Sequence, residues 1–444
     1  MLRGDYSKAA EVSRAYAALV ATKGPCVLLE STAAPSPYAR RTLLARNPRA
    51  ALIADRDGLR RADAAGARRV GGDAFTALRA MLREVRPGRW PDEGGIAGAL
   101  SYDAARPGYG AATPKLIALA VDRFLVEEQG VATGDGSEGG APCPWIDVLI
   151  GPAARSSDPP PAIPLELARW SNLTRDHHRR LVRVVQEHIA AGDIYQANLS
   201  QRFDLPWTAG GLALYAALRR ISPAPFAGYL RAGGLEIVSA SPERLLSVLD
   251  GRATTRPLAG TRPRSDDPRA DRALAAELLL SEKERAEHLM LVDLARNDLG
   301  RVADIGSVEV DELMVVEAQS HVRHIVSNVT ARMRPGADAL DALAAVFPGG
   351  TITGVPKIRC MEILDRVEPG PRGFYTGALF YLTPSGRLDA NILIRSAVVS
   401  GGRVAFHAGG GIVADSDPDR EYEETLHKAE GMKLALEDVL RGGG

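Results

Sequence analysis

Residues 377–413 read GALFYLTPSGRLDANILIRSAVVSGGRVAFHAGGGIV, and three apolar runs follow one another in them: GALFYL, ANILIRSAVV and VAFHAGGGIV. Each has the composition of a β-strand, and short Gly- or Pro-containing breaks fall between them. IYQANLSQRF from Ile194, LEIVSAS from Leu235 and HIVSNVTARM from His324 are segments of the same kind. Strands that cluster in this way, without strict alternation with helices, predict an α+β fold with large antiparallel sheets and not a doubly wound one.

Working outward, a helix precedes these strands. Thr174 is its expected N-cap, Asp176 lies in the first turn, Val182, Val185 and Ile189 recur at helical spacing, and Gly192 marks the end. Before the helix, residues 130–164 are rich in Gly, Ser and Pro and close with SSDPPPAIP. Such a stretch buries little apolar surface and reads as a linker or long surface loop, with WIDVLIG (145–151) inside it compatible with a short strand. The chain therefore divides into 1–150, a linker at 151–164, and 165–444. In the first part CVLLE, AALIAD and LIALAVDRFLVEE, set among turn signals, predict an antiparallel sheet.

Lys+Arg and Asp+Glu balance at 55 each, which argues against a partner that is nucleic acid or an anionic membrane. Charged residues at 25% and hydrophobic residues at 45% are the mix of a soluble globular protein. No stretch reaches membrane-spanning length and no secretory h-region opens the chain, so a cytoplasmic protein is expected. Cys26, Cys143 and Cys360 are too few and too scattered for a disulfide framework or a zinc site. None lies in a nucleophile-elbow context, and EHLM offers no zincin HExxH.

Two helical segments carry acidic pairs at i and i+3: Glu284 and Glu287 in SEKERAEHLMLVDLARND, Glu421 and Glu424 in PDREYEETLHKAEGM. Each pair projects from one helix face; each alone is either a solvated face or half of a site of hard oxygen ligands suited to Mg²⁺. The second pair follows Gly409, Gly410 and Gly411, where backbone approaches something closely or the sheet turns a corner. Asp415, Ser416 or Asp417 would cap that helix, which also bears Lys428. Arg395, a cation in an otherwise apolar run, is costly unless it meets a carboxylate of protein or ligand. GGTITGVPK (349–357) fails as a phosphate loop, since Lys357 comes three residues after Gly354 and no Ser or Thr follows it. It remains a glycine-rich turn with Pro356 at the first position of a helix, facing an anion or simply entering the helix.

GDIYQANLSQRF, SASPERLL, TRPLAGTRPR, EKERAEHLMLVDLARNDLGRV, FPGGTITGVPKIRCMEIL, FYTGALFYL and AGGGIVADSDPDREYEET stand in the order found in the chorismate-utilising enzymes, and the chain resembles that family. CVLLES near the start is similar to the amino-terminal segment of anthranilate and aminodeoxychorismate synthases. The resemblance implies a two-sheet antiparallel sandwich with outer helices. It implies Mg²⁺ on Glu287 and Glu424, with Glu284 and Glu421 close by, and chorismate as substrate. Tyr375, Arg395, Lys428 and the amides around Gly409 and Gly411 would hold the enolpyruvyl carboxylate, and Gly260 and Thr261 would line the ring pocket. Glu243 would be the general acid that protonates the departing C4 hydroxyl. His324 matches a histidine associated with pyruvate elimination, or is a packing residue on a strand. A tryptophan site near Leu28, Leu29, Glu30 and Ser31 is implied in the same way.

Gln196 stands where isochorismate and salicylate synthases carry the lysine that activates water, which favours amination. Ammonia would come from a separate glutamine amidotransferase subunit. The branch within the family is read from conflicting residues. YQANLSQRF, FPGGTITGVPK and VDELMVVEAQSHVRHIVSNV resemble aminodeoxychorismate synthase component I, whereas Ala259 replaces the lysine nucleophile of that branch. The expectation is 4-amino-4-deoxychorismate for p-aminobenzoate and folate, with anthranilate synthase component I as the alternative. A third outcome stops at 2-amino-2-deoxyisochorismate.

Overall fold

The computed structural model describes residues 14–32, 41–105, 114–128, 131–134, 150, 158–265, 267–318 and 322–442. Within these, two antiparallel sheets stack face to face. The first runs in the order Gly354–Val355, Gln196–Pro206, Arg403–Ile412, Ser396–Ser400, Leu235–Ser241, Phe226–Ala232, Cys26–Glu30, Arg41–Arg46, Leu125–Glu128, Val131–Gly134. The second, of twelve strands, runs from Leu258–Pro263 through Val322–Arg332, Arg252–Thr255, Arg244–Leu249, Leu388–Asn391, Ala378–Leu382, Gly95–Leu100, Leu116–Val121 and Ala50–Asp55 to the hairpin Gly58–Asp63 and Gly66–Arg69. Glu309–Ala318 pairs with the free side of Val322–Arg332. Both sheets draw strands from either side of residues 151–164.

The helices are α1 (Arg14–Ala21), α2 (Ala74–Arg83), α3 (Arg175–Ala190), α4 (Gly210–Ile221), α5 (Pro268–Leu280), α6 (Glu282–Gly300), α7 (Ala339–Val346), α8 (Lys357–Val367) and α9 (Pro418–Leu440). Strand alternation explains the layers. In Gly95–Leu100, Ile96 and Leu100 face α2, α6 and α7, while Ala97 and Ala99 face the other sheet. Val27, Leu230 and Ile237 of the first sheet complete that inter-sheet layer, and its opposite face packs on α1, α4 and α9 through Leu19, Leu214 and Met432. A sheet covered on both faces reads as continuous apolar runs, which is what the sequence shows. None of the described helices is long and apolar enough to cross a membrane.

The expected caps are in place: the Thr174 side chain accepts from the His177 amide, and α3 ends before Gly192 at φ 77°. Two details differ. Pro356 is the N-cap of α8 and not its first helical residue. ANILIRSAVV is not one strand: Leu388–Asn391 belongs to the second sheet and Ser396–Ser400 to the first, with Arg395 at the crossing, φ 49°. No polar break announces the crossing because Ile392 and Leu393 are buried in different layers. WIDVLIG, Ile150 excepted, and Cys143 lie outside the described residues.

Candidate active site

Gly409, Gly410 and Gly411 pair in regular register with Ser200, Leu199 and Asn198, so they form no bulge. Their lack of side chains serves close approach. A Cβ on Gly411 would lie 2.3 Å from Gln196 Nε2, and one on Gly409 would lie 2.7 Å from Asn198 Oδ1 and 2.9 Å from the Tyr375 hydroxyl. A Cβ on Gly410 would come within 3.1 Å of Glu421 and 3.5 Å of Glu424. Two amide side chains, a tyrosine and two carboxylates thus stand against bare backbone.

The two acidic helices begin close to one another, the second just after this strand. Of the three candidate caps for α9 it is Asp417 that accepts from the Asp419 and Arg420 amides. Ser416 instead donates to Glu421 at 2.7 Å, and Asp415 takes Lys283 of α6 at 2.8 Å, tying the two helix starts together. Lys428 Nζ reaches the Gly409 carbonyl at 3.0 Å and Glu424 at 2.7 Å. On α6, Glu287 accepts from Gln196 Nε2 at 2.6 Å, and Glu284 accepts from Arg262 at 3.2 Å. Glu284 packs where only a glycine fits, 2.8 Å from a Cβ on Gly260, φ 63°. Burial, reinforced by the neighbouring carboxylate of each pair, holds Glu287 and Glu421 above the ordinary glutamate range. Among the described residues no three Asp, Glu, His or Cys side chains are grouped so that they alone could hold a metal ion.

His324 Nδ1 lies 2.9 Å from the Gly260 carbonyl and 3.2 Å from the Thr261 hydroxyl. A carbonyl can only accept, so Nδ1 carries the proton and Nε2 is a bare lone pair. Burial, with the charges of Arg395 and Lys428 nearby, pushes the imidazole down to about 4. Arg395 sits in the left-handed region with an exposed side chain whose guanidinium makes no hydrogen bond to any described residue, yet the protein mass around it still lowers its pKa. Gln196 Oε1, Asn198 Oδ1 and His324 Nε2 are buried without a hydrogen-bond partner among the described residues. Buried polar atoms are normally satisfied, so three orphans beside an unpaired guanidinium mark a ligand site.

Glu243 follows Leu235–Ser241, its amide held by Ser241 Oγ and its carbonyl by the Ile392 amide. Thr351 donates to its Oε1 at 2.7 Å, and burial raises the carboxyl to about 8. Sequence reading missed Thr351, Arg262 and Ser416 as partners of site carboxylates; no local pattern marks a contact made across 108 residues. Leu29, Glu30 and Ser31 are not brought to this site, since three strands separate Cys26–Glu30 from Arg403–Ile412. Glu30 is buried against Arg219 at 2.7 and 2.9 Å and Tyr215 at 2.5 Å, and Ser31 Oγ has no partner among the described residues. An inter-sheet cavity of about 560 Å³ touches the site only through Tyr375. Of its arginines, Arg60, Arg202, Arg372 and Arg403 are paired with Asp55, Asp204 or Glu368, and Arg56 lies at its Asp55–Arg60 rim.

The chain and its fold have known counterparts. Residues 24–434 match the family described as chorismate binding enzyme, and the chain belongs to that family. Anthranilate synthase component 1 of Methanothermobacter thermautotrophicus is 51% identical over 61% of this chain and 58% of its own length. The protein of the same name from Streptomyces coelicolor is 42% identical over 82% of this chain and 78% of its own. The crystal structure of anthranilate synthase component I from Streptococcus pneumoniae superposes with a TM-score of 0.75 at 31% identity, covering 90% of this chain and 93% of that one. Against the relatives matched at 49–51% identity, the chain spans little more than half of their length.

These likenesses overturn the expected aminodeoxychorismate branch: relatives at 42–51% identity bear the name anthranilate synthase component 1. The physical counterpart is Ala259, buried on Leu258–Pro263 opposite Ile325, where no amine is available as a nucleophile.

Proposed function

We propose that the chain is the synthase component of an anthranilate synthase, converting chorismate and ammonia to anthranilate and pyruvate. His324 carries this reading. Loss of pyruvate from an aminated ring needs a base for the ring proton, and Nε2 is an unpartnered lone pair on a neutral imidazole whose tautomer the Gly260 carbonyl fixes. A bound dicarboxylate offsets the Arg395 and Lys428 charges that help depress this base.

Each remaining residue has a role that its environment supports. Arg395, Lys428, Tyr375 and the backbone at Gly409 and Gly411 hold the enolpyruvyl carboxylate, and Gly260 and Thr261 border the ring. Glu243, protonated at neutral pH, delivers its proton to the C4 hydroxyl oxygen, which leaves as water while ammonia bonds to C2. Gln196 cannot deprotonate water, so ammonia, already a nucleophile, is the species that adds. Glu287 and Glu424, with Glu284 and Glu421 beside them, are hard oxygen donors that fit Mg²⁺, which when bound supplies positive charge for the ring carboxylate. Cys26 and Cys360 are buried with thiols pushed up to about 11 and about 12. That makes both poor glutaminase nucleophiles and supports a separate amidotransferase subunit as the ammonia source. Ser31, with its unpartnered hydroxyl, is where a tryptophan amino group would bind, and calorimetric titration with tryptophan against Ser31→Ala tests that site.

His324→Ala tests the main reading. With chorismate, Mg²⁺ and ammonium, this variant should accumulate an aminated product that keeps its enolpyruvyl group and release no pyruvate. Pyruvate release at the parent rate would overturn the role.

A further inference from the structure

GGTITGVPK finds no role in holding substrate, yet it closes a second, smaller space behind Glu243. Glu243, Thr351, Thr255 and Asp298 line a cavity of about 30 Å³ whose remaining walls are mostly apolar, among them Leu245 and Ile392. A polar space needs roughly 10–15 Å³ to admit one water, so this one has room for one or two with several polar partners. It runs along the face of α6 that also bears Glu287, because Leu291, Leu294 and Asp298 follow Glu287 at helical spacing and line it. At its far end Asp298 accepts from Lys357 Nζ at 2.6 Å, and Lys357 also donates to the Val346 carbonyl at 2.8 Å. The Lys357 and Asp298 side chains keep 11% and 12% of their surface exposed, so the pair is not sealed off. The glycines of the motif fix this arrangement: a Cβ on Gly350 would strike Leu294 at 2.4 Å, and one on Gly349 would strike Ile392 at 2.9 Å.

We propose that this cavity holds water and is the route by which Glu243 is reprotonated, fed from the Lys357–Asp298 pair and guided by the Thr351 hydroxyl. The inference rests on Glu243 being the general acid. In each turnover the Glu243 carboxyl proton goes to the departing hydroxyl oxygen, the C4–O bond breaks and a C–N bond forms. The amine releases one proton to solvent, and the Glu243 carboxylate takes one back through the cavity, so protons balance. An acid that is 5% exposed and faces substrate on one side needs such a second side, because bound product blocks the first. Burial raises the Asp298 carboxyl and lowers the Lys357 ammonium toward each other, which eases proton exchange across the pair.

Ala295 also lines the cavity, and Ala295→Val replaces its water by methyl groups. With purified full-length protein, chorismate, Mg²⁺ and ammonium in a stopped-flow fluorimeter, the first turnover should keep its parent rate. Steady-state turnover should fall at least about tenfold, leaving a burst of one product equivalent per site. Asp298→Asn should produce the same burst, and it serves alone if the valine variant melts below assay temperature. Parent-like turnover without a burst in a folded variant would overturn the route. Glu243→Gln separates the two ideas: if it is inactive while Ala295→Val is normal, only the route fails; if it turns over normally, the general-acid reading fails.

Discussion

Arg395→Gly should raise stability and weaken substrate binding together. At φ 49° a residue with a Cβ bears about 1–2 kcal/mol of strain that glycine does not. That strain persists because the backbone is fixed on both sides, the Arg395 carbonyl by the Ala240 amide at 3.1 Å and the Leu393 amide by the Gly377 carbonyl at 2.8 Å. Glycine returns about 0.5–1 kcal/mol through its freer unfolded chain, leaving a net gain near 0.5–1 kcal/mol. In a protein of this size the melting temperature should rise by about 0.5–1 °C. Binding moves the other way: charge-assisted hydrogen bonds to a carboxylate contribute about 1.5–3 kcal/mol, so KM for chorismate should rise about 10- to 150-fold. Scanning fluorimetry without ligand and initial rates against chorismate read the two effects separately. Arg395→Lys, with charge but no fork and the same strain, should give an intermediate KM and an unchanged melt. A lower melting temperature with unchanged KM would refute the assignment of Arg395 as a strained ligand-binding residue.

Glu243 has a folded pKa of about 8 against an ordinary 4.5, so its protonated form stabilises the fold. That contribution is complete below about pH 4.5 and is lost as pH rises through about 8. Glu243→Gln should therefore gain stability relative to the parent across that window, by an amount on the order of several kcal/mol in denaturant titrations, while turnover is lost; parallel stability profiles would contradict the buried neutral acid. Glu287→Ala should abolish Mg²⁺-dependent turnover yet melt within about 2 °C of the parent, because it also removes repulsion with Glu284; full activity would rule out the metal role. Glu30→Ala strands Arg219 and the Tyr215 hydroxyl in a buried site and should cost about 3–5 kcal/mol in urea unfolding, with the turnover of folded protein retained; a cost below about 1 kcal/mol would show the pair to be well solvated.

Much of the site is legible in the sequence because it is built from local patterns. The triple glycine, the i and i+3 carboxylates and a cap among Asp415, Ser416 and Asp417 each announce themselves within a few residues. Contacts between distant segments do not. Thr351 and Glu243 meet only because the GGT turn crosses under α6, and nothing near either residue shows it. The crossing at residues 392–395 is hidden for a different reason: hydropathy cannot distinguish burial between the sheets from burial under the helices. Without that crossing Arg395 looks like a strand residue, and its strain is invisible. On the branch, motif likenesses point one way and Ala259 the other, and it is the missing amine at Ala259 that bears directly on covalent attack at the ring.

Product identification tests the proposed reaction most directly. Purified protein with chorismate, Mg²⁺ and ammonium salt, followed by chromatography and mass spectrometry, should yield anthranilate and an equal amount of pyruvate. Accumulation of 4-amino-4-deoxychorismate with its enolpyruvyl group intact would contradict it, and would leave His324 without the role its geometry supports.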